Sequence, residues 1–157
     1  MRSDVPVLRV LLVDEQEVVR RGVARVLRGD AGITVVGQAR SAGEALRWAS
    51  AMRPDVVVVA MRLPDGSGAH VCQRLRALVP GVRCLMLSDS VDAETVQAAV
   101  RAGASGCLSM HVSGRALVAA VRSVAVRISG PPPARGPVVA ASTRVTLQNV
   151  VAEAGAW

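Results

Sequence analysis

The side chains of this chain that could do chemistry lie where its predicted strands end. Asp14 and Glu15 follow an apolar run at 7–13, and Ser88 follows another at 82–87. In open α/β sheets, ligands bind beyond the carboxyl ends of the strands, so these carboxylates and this hydroxyl occupy the expected place for a site. The central run at 55–60 ends in Ala60, whose methyl group has no chemistry, and the run at 105–109 ends near Met110.

Five strands and five helices are predicted to position these side chains. Apolar runs predict strands at 7–13, 33–39, 55–60, 82–87 and 105–109, and helical spacing of apolar residues predicts a helix after each. Ser41 and Glu44 have the spacing of a capping box at the start of the second helix, and Ser113 is predicted to open the fifth. This alternation predicts an α/β domain over residues 5–127, with a doubly wound five-stranded parallel sheet and helices on both faces.

The composition favours an aliphatic core and a cytoplasmic protein. The chain has 157 residues, of which 51% are hydrophobic, and it contains no Phe or Tyr. No apolar stretch approaches the roughly 20 residues that a membrane span needs, and the N-terminus has no signal-peptide pattern. We therefore expect a cytoplasmic protein that makes no membrane contact.

The cysteines, histidines and arginines favour no particular site. Cys72, Cys84 and Cys107 are widely spaced in apolar surroundings, which favours reduced core residues over disulfides or zinc ligands. His70 and His111 have no partners at ligand spacing. The net charge of +7 comes from 19 Arg without any Lys, and it permits contact with nucleic acid. Because the arginines are scattered over every predicted helix, a general bias toward Arg is the stronger explanation.

Several motifs resemble those of a known family. They are Leu11-Leu12-Val13-Asp14-Glu15, Glu17-Val18-Val19-Arg20-Arg21-Gly22, Arg53-Pro54-Asp55-Val56, Arg62-Leu63-Pro64-Asp65-Gly66 and Ala102-Gly103-Ala104-Ser105-Gly106. Through them, residues 8–127 resemble the receiver domain of bacterial response regulators, in the NarL/FixJ branch and most like DevR (DosR)-type regulators. The resemblance implies a flavodoxin/CheY-like (βα)5 fold and a role in two-component signalling and transcription regulation.

The resemblance also implies a chemistry, phosphoryl transfer from a histidine kinase to an aspartate at the end of the third strand. An acidic pair would hold Mg²⁺, and a hydroxyl and a Lys would bind the phosphate oxygens. Asp14 and Glu15 match the acidic pair, and Ser88 matches the hydroxyl. Ala60 stands at the phosphoacceptor position and Met110 at the Lys position.

These departures predict a degenerate phosphorylation pocket. Cys107 stands where the family often has an aromatic switch residue, so three positions of one cluster have changed. We expect no catalytic residue, no enzymatic activity and no cofactor, with at most weak Mg²⁺ binding at Asp14 and Glu15. Neither Asp55, at the wrong end of its strand, nor Asp65, in a Pro-Asp-Gly turn, is a good substitute acceptor.

Each remaining site residue also has a plain structural explanation. Asp14 could cap the first helix, with Glu15 favourable near its dipole. Ser88 could cap the turn before the fourth helix. Met110 could fill the pocket by packing over Ala60.

The C-terminal part of the chain differs in composition. Residues 128–141 are rich in Pro and Gly and predict a linker, and residues 142–157 predict a short amphipathic tail. NarL/FixJ-type regulators continue after such a linker into a helix-turn-helix output domain, for which this tail is too short. We therefore expect the tail to be either a remnant of an output domain or a docking helix.

The resemblance predicts a pseudo-receiver that acts by phosphorylation-independent protein interaction. Its partner would be a second copy, another response regulator or a kinase, and it would bind DNA only if an output domain is supplied elsewhere. Candidate interface residues on the fourth and fifth helices are Val96, Val100, Leu117 and Val121, and with Ala99 they are expected to divide between the interface and the core. The alternatives are a phosphorelay receiver with a non-standard acceptor, a small-molecule-sensing receiver and a fragment of a DNA-binding regulator.

Overall fold

The structure, a computed structural model, describes residues 6–125. Strands and helices alternate along this part of the chain, apart from two short strands that directly follow the third strand. The strands are β1 (Leu8–Val13), β2 (Ile33–Ala39), β3 (Val56–Ala60), β4 (Arg62–Leu63), β5 (Gly66–Ser67), β6 (Arg83–Ser88) and β7 (Gly106–Ser109). The helices are α1 (Glu17–Arg28), α2 (Ala42–Met52), α3 (Gly68–Leu78), α4 (Ala93–Ala102) and α5 (Gly114–Ala125).

A five-stranded sheet in the order β2-β1-β3-β6-β7 forms the centre of the domain. All neighbouring strands in it run parallel. Counted along the chain, this order is 2-1-3-4-5, which is the flavodoxin-like arrangement of a doubly wound sheet. The predicted fold is therefore confirmed.

The core lies in two layers, one on each face of the sheet. Successive strand residues point to opposite faces, so Val57 and Val59 of β3 belong to one layer and Val56 and Val58 to the other. The first layer contains residues of α2, α3 and α4, and the second contains residues of α1 and α5. Because helices cover both faces, β3 is buried along Val56–Val59 and ends at the half-buried Ala60.

Two of the four predicted interface residues belong to this core. Leu117 and Val121 of α5 are each 0% exposed and pack in the second layer. The prediction that they contribute to an interface is wrong, because their spacing marks the inward side of α5. On α4, Val100 is 43% exposed and Val96 is half-buried, so these two remain accessible.

The helix starts largely follow the predicted capping. The Ser41 hydroxyl accepts a hydrogen bond from the Glu44 amide at 3.2 Å, as expected for the N-cap of α2. The Glu44 carboxylate reaches the amide of Arg40, one residue before the position that a capping box requires. Ser113 accepts from the Ala116 amide at the start of α5, as its predicted opening residue should.

The segment after β3 contains a small antiparallel hairpin that the sequence analysis did not predict, formed by β4 and β5. It returns the chain so closely that α3 begins against the end of β3. The amide of Gly68 donates to the carbonyl oxygen of Met61, and a Cβ at residue 68 would overlap the carbonyl oxygen of Ala60. Glycine is therefore required at this position.

The three cysteines are buried free thiols, which confirms the prediction of reduced core residues. A hydrogen bond with Cys84 and then burial raise the pKa of the Cys72 thiol, and burial raises the pKa of Cys107. Thiols that resist ionisation are poor nucleophiles, so Cys72 and Cys107 serve packing.

The predicted linker at 128–141 and the predicted tail at 142–157 lie outside the described residues. Between residues 6 and 125, none of the helices has the length and apolar character that a bilayer crossing requires.

Candidate functional site at the carboxyl edge of the sheet

The predicted site positions gather at one edge of the sheet. The register pairs Val13 with Val59, Ala60 with Leu87, and Ser88 with Ser109. The four positions at or just beyond these strand ends therefore lie side by side at the carboxyl edge, and they are Asp14, Ala60, Ser88 and Met110.

Asp14 is half-buried and held in a turn between β1 and α1. Its Oδ1 accepts a hydrogen bond from the amide of Gln16 at 2.9 Å, and its own amide donates to the carbonyl of Ala39. The N-cap residue of α1 is Gln16, so Asp14 closes the turn before the helix and does not cap it. The expectation that Asp14 is a simple helix cap is wrong.

Charges around Asp14 show which groups share this edge. Burial raises the pKa of the Asp14 carboxyl, and the negative charges of Glu15 and Asp89 raise it further. The hydrogen bond from Gln16 and the positive charge of Arg20 act in the opposite direction. Asp89 was not among the predicted site residues, although it directly follows Ser88 at the end of β6.

The acidic side chains do not form a complete set of ligands for a divalent cation. Glu15 is exposed, and position 60 offers a methyl group where the resemblance implies a third carboxylate. Within residues 6–125, no group of three or more His, Cys, Asp or Glu side chains is arranged to hold a metal ion. The residues present therefore do not fit a tightly held Mg²⁺, which prefers several oxygen ligands in octahedral geometry.

Ala60 occupies the centre of this edge without supplying a nucleophile. Its half-buried side chain packs against the first core layer, and the amide of the next residue, Met61, donates to the carbonyl of Leu87 at 3.1 Å. The backbone around position 60 is thus well ordered by its neighbours, while the side chain carries no reactive atom.

Met110, Ser88 and Cys107 complete the predicted pocket. The Met110 amide donates to the Ser88 carbonyl, but the Met110 side chain packs against the second core layer, on the other side of the sheet from the packing of Ala60. The expected cover of Met110 over Ala60 is therefore wrong. The Ser88 hydroxyl accepts from the Ser90 amide at 3.4 Å, as its turn interpretation predicts, and Cys107 is 0% exposed inside the first layer.

The two other carboxylates considered as acceptors are engaged elsewhere. Asp55 lies at the amino end of β3, where its Oδ2 accepts from the Arg9 amide at 2.9 Å. Asp65 accepts from the amides of Ala42 and Gly43 at 2.7 and 3.0 Å, and these bonds lower its pKa. Asp65 therefore binds the N-terminus of α2 from a distant loop, a role that its local turn motif did not reveal.

Arg20 is a site residue that the sequence analysis missed. Arg20 is only 7% exposed, and its Nη1 donates to the Asp14 carbonyl at 2.5 Å. The signal was present in the spacing, because residues 20, 23, 24 and 27 of α1 are all buried and share one helical face.

The fold agrees with the comparison to known proteins. Residues 10–122 match the response regulator receiver domain family. The chain belongs to this family. It is a response regulator receiver of two-component signalling, similar to DevR/DosR and NarL-type regulators.

Individual relatives support this assignment. The DNA-binding transcriptional activator DevR/DosR of Mycobacterium tuberculosis is 43% identical over 117 residues, which are 74% of this chain and 54% of that protein. The response regulator UvrY of Escherichia coli is 33% identical, with the same shares covered. The chain thus spans about half the length of the curated relatives it matches.

A solved structure supports the fold. The signal receiver domain of the putative response regulator NarL from Mycobacterium tuberculosis superposes with a TM-score of 0.74 at 31% identity, over 77% of this chain and 98% of that one.

Proposed function

We propose that this receiver acts without phosphorylation, as a protein-interaction module in transcriptional signalling. The observation that carries the proposal is Ala60 at the end of β3, the position where the family's aspartate is expected. A methyl group has no lone pair with which to accept a phosphoryl group. The proposed role is that of a cytoplasmic signalling module, not an enzyme, and it requires no tightly bound Mg²⁺.

The engaged carboxylates support the proposal against a receiver with a non-standard acceptor. Asp55 lies at the opposite end of β3, and both oxygens of Asp65 accept hydrogen bonds from α2. Incubation of the protein with acetyl phosphate and Mg²⁺, followed by intact-mass measurement, tests this directly. We expect no adduct, and a stable adduct of one phosphoryl group would contradict the proposal.

A small-molecule sensor has less support than an interaction module. An apolar ligand at this edge would need the side chains of Ala60 and Met110 to line one pocket, but these side chains pack against opposite core layers. A thermal-shift screen that finds a stabilising small molecule would favour the sensor instead.

The face built from α4, β7 and α5 is the proposed interaction surface. In the described sheet, β7 is an edge strand that pairs only with β6, and the neighbouring helix α4 leaves 43% of Val100 exposed. An open strand edge and an exposed apolar side chain both favour association. We propose a second copy of the chain as the partner, with another response regulator or a kinase as the alternative.

Sedimentation velocity of a matched pair of variants tests the surface. Val100→Ser removes an apolar side chain from α4, and Leu78→Ser removes one of similar exposure, 42%, from α3. We expect the native chain to sediment as a dimer, Val100→Ser to shift toward monomer, and Leu78→Ser to leave the dimer unchanged. A native chain that stays monomeric at all concentrations would refute self-association.

DNA binding enters the proposal only through another domain. The relative DevR/DosR is a DNA-binding transcriptional activator, and this chain matches 54% of it. We propose that any DNA contact depends on an output domain supplied elsewhere.

A further inference from the structure

Arg20 is the only charged side chain that is buried within residues 6–125. One end of its guanidinium is satisfied, because Nη1 donates to the carbonyl oxygen of Asp14. The Nε atom, in contrast, is buried and has no hydrogen-bond acceptor among the described residues. Buried donors in native proteins nearly always have a partner, either in the protein or in ordered water.

A small, partly open pocket is lined by Arg20. Its volume is about 10 Å³, and its wall consists of two polar residues, Asp14 and Arg20, together with the apolar residues Leu12, Val13, Val19, Val23, Val58 and Leu87. A volume of this size holds about one water molecule. Water also needs polar partners, and here a donor and a carboxyl-bearing residue line the same space.

We propose that this pocket is a binding site for a single internal water molecule, which accepts the Nε–H of Arg20 and donates to the carboxylate of Asp14. Arg20 then holds Asp14 twice, directly through the main-chain carbonyl and through the water at the side chain. Arg20 is a positioning residue for the acidic edge, and this role is independent of whether the receiver is phosphorylated.

The first test uses the native chain, so it does not depend on any variant folding. In ¹⁵N-edited nuclear Overhauser spectra, the Arg20 Hε should show a cross-peak at the water frequency with the sign of a long-lived, protein-bound water. Absence of this cross-peak would refute the proposal. A shift of Hε that follows chloride concentration at constant ionic strength would also overturn it, because a halide would then be the occupant.

The second test compares Arg20→Met with Arg21→Met, which changes the neighbouring exposed arginine of the same helix. Magnetic relaxation dispersion of water ¹⁷O counts long-lived internal waters, and we expect one fewer in Arg20→Met and no change in Arg21→Met. Equal counts in the two variants would contradict the water site.

The positioning role has its own readout. The Gln16 amide donates to the Asp14 carboxylate, so its hydrogen exchange reports how well Asp14 is held. We expect this exchange to accelerate about tenfold in Arg20→Met, since a bond to a charged group is lost. Unchanged exchange would show that Arg20 does not position Asp14.

Discussion

Replacing Ala60 by Asp is expected to give the receiver a Mg²⁺-dependent stability that the native chain lacks. The new carboxylate would stand at the end of β3, level with Asp14, because Val13 and Val59 are paired in the sheet. Without metal, a further negative charge beside Asp14, Glu15 and Asp89 should destabilise the fold, since like charges at one site oppose ionisation. With metal, the new carboxylate would join Asp14 and Glu15 as a ligand.

The size of the effect follows from linkage. A ligand at about ten times its dissociation constant stabilises the folded state by RT ln 11, about 1.4 kcal/mol. For a domain of this size, 1 kcal/mol corresponds to about 4 °C in melting temperature, so we expect a rise of about 6 °C. Thermal unfolding followed by far-UV circular dichroism, with and without Mg²⁺, measures this rise.

Two controls separate coordination from general effects of salt and substitution. Ala60→Asn introduces a side chain of nearly the same size as Asp but without a charge, and its melting temperature should not depend on Mg²⁺. The double variant Ala60→Asp with Asp14→Asn keeps the new carboxylate but removes that of Asp14, and it should lose most of the rise in melting temperature. If the native chain and Ala60→Asp gain equal stability from Mg²⁺, the conclusion that position 60 completes the ligand set is refuted.

Three further substitutions test other parts of the structure. Leu117→Ala should lower the free energy of unfolding by about 2–5 kcal/mol in urea denaturation and leave sedimentation unchanged, because Leu117 is fully buried. A change in association without a change in stability would show instead that Leu117 is an interface residue. Asp14→Asn should raise the melting temperature at neutral pH, because burial raises the pKa of Asp14 and its ionised form therefore destabilises the fold. The gain should disappear in acid, below the ordinary Asp pKa. A gain that persists there would contradict the burial argument. Asp65→Asn should lower the melting temperature at neutral pH, because hydrogen bonds from the amides of Gly43 and Ala42 lower the Asp65 pKa, so that the ionised carboxylate stabilises the fold. This loss of melting temperature should shrink as the pH falls through the folded-state pKa of Asp65. A loss that does not depend on pH would point to packing instead.

Local sequence patterns were sufficient to predict the sheet and most helix starts. Short apolar runs such as Val56–Val59 correspond to buried strands because a strand covered on both faces excludes polar residues. Ser41 and Ser113 cap their helices because a hydroxyl at that position satisfies an amide that the helix leaves free. Such information lies within a few residues and is visible without the fold.

Contacts between distant segments could not be predicted in this way. Asp65 binds amides 22 and 23 residues earlier in the chain, and nothing near its Pro-Asp-Gly turn indicates that partner. Arginine is seldom buried in proteins, and only the helical spacing of Arg20 with its buried neighbours indicates that it is. For Leu117 and Val121 the spacing was recognised, but they were assigned to an outer surface as well as to the core, and the burial shows the core.

The backbone bonds around position 60 have a consequence for how such a receiver arises by mutation. The Met61 amide donates to the Leu87 carbonyl and the Gly68 amide donates to the Met61 carbonyl, and neither hydrogen bond involves the side chain of residue 60. A single codon change at 60 can therefore remove the acceptor chemistry and leave the framework able to fold and to be inherited. A change at Gly68 does the reverse, since any side chain there meets the Ala60 carbonyl. Within this loop, chemistry and architecture are encoded at separate positions and can be lost independently.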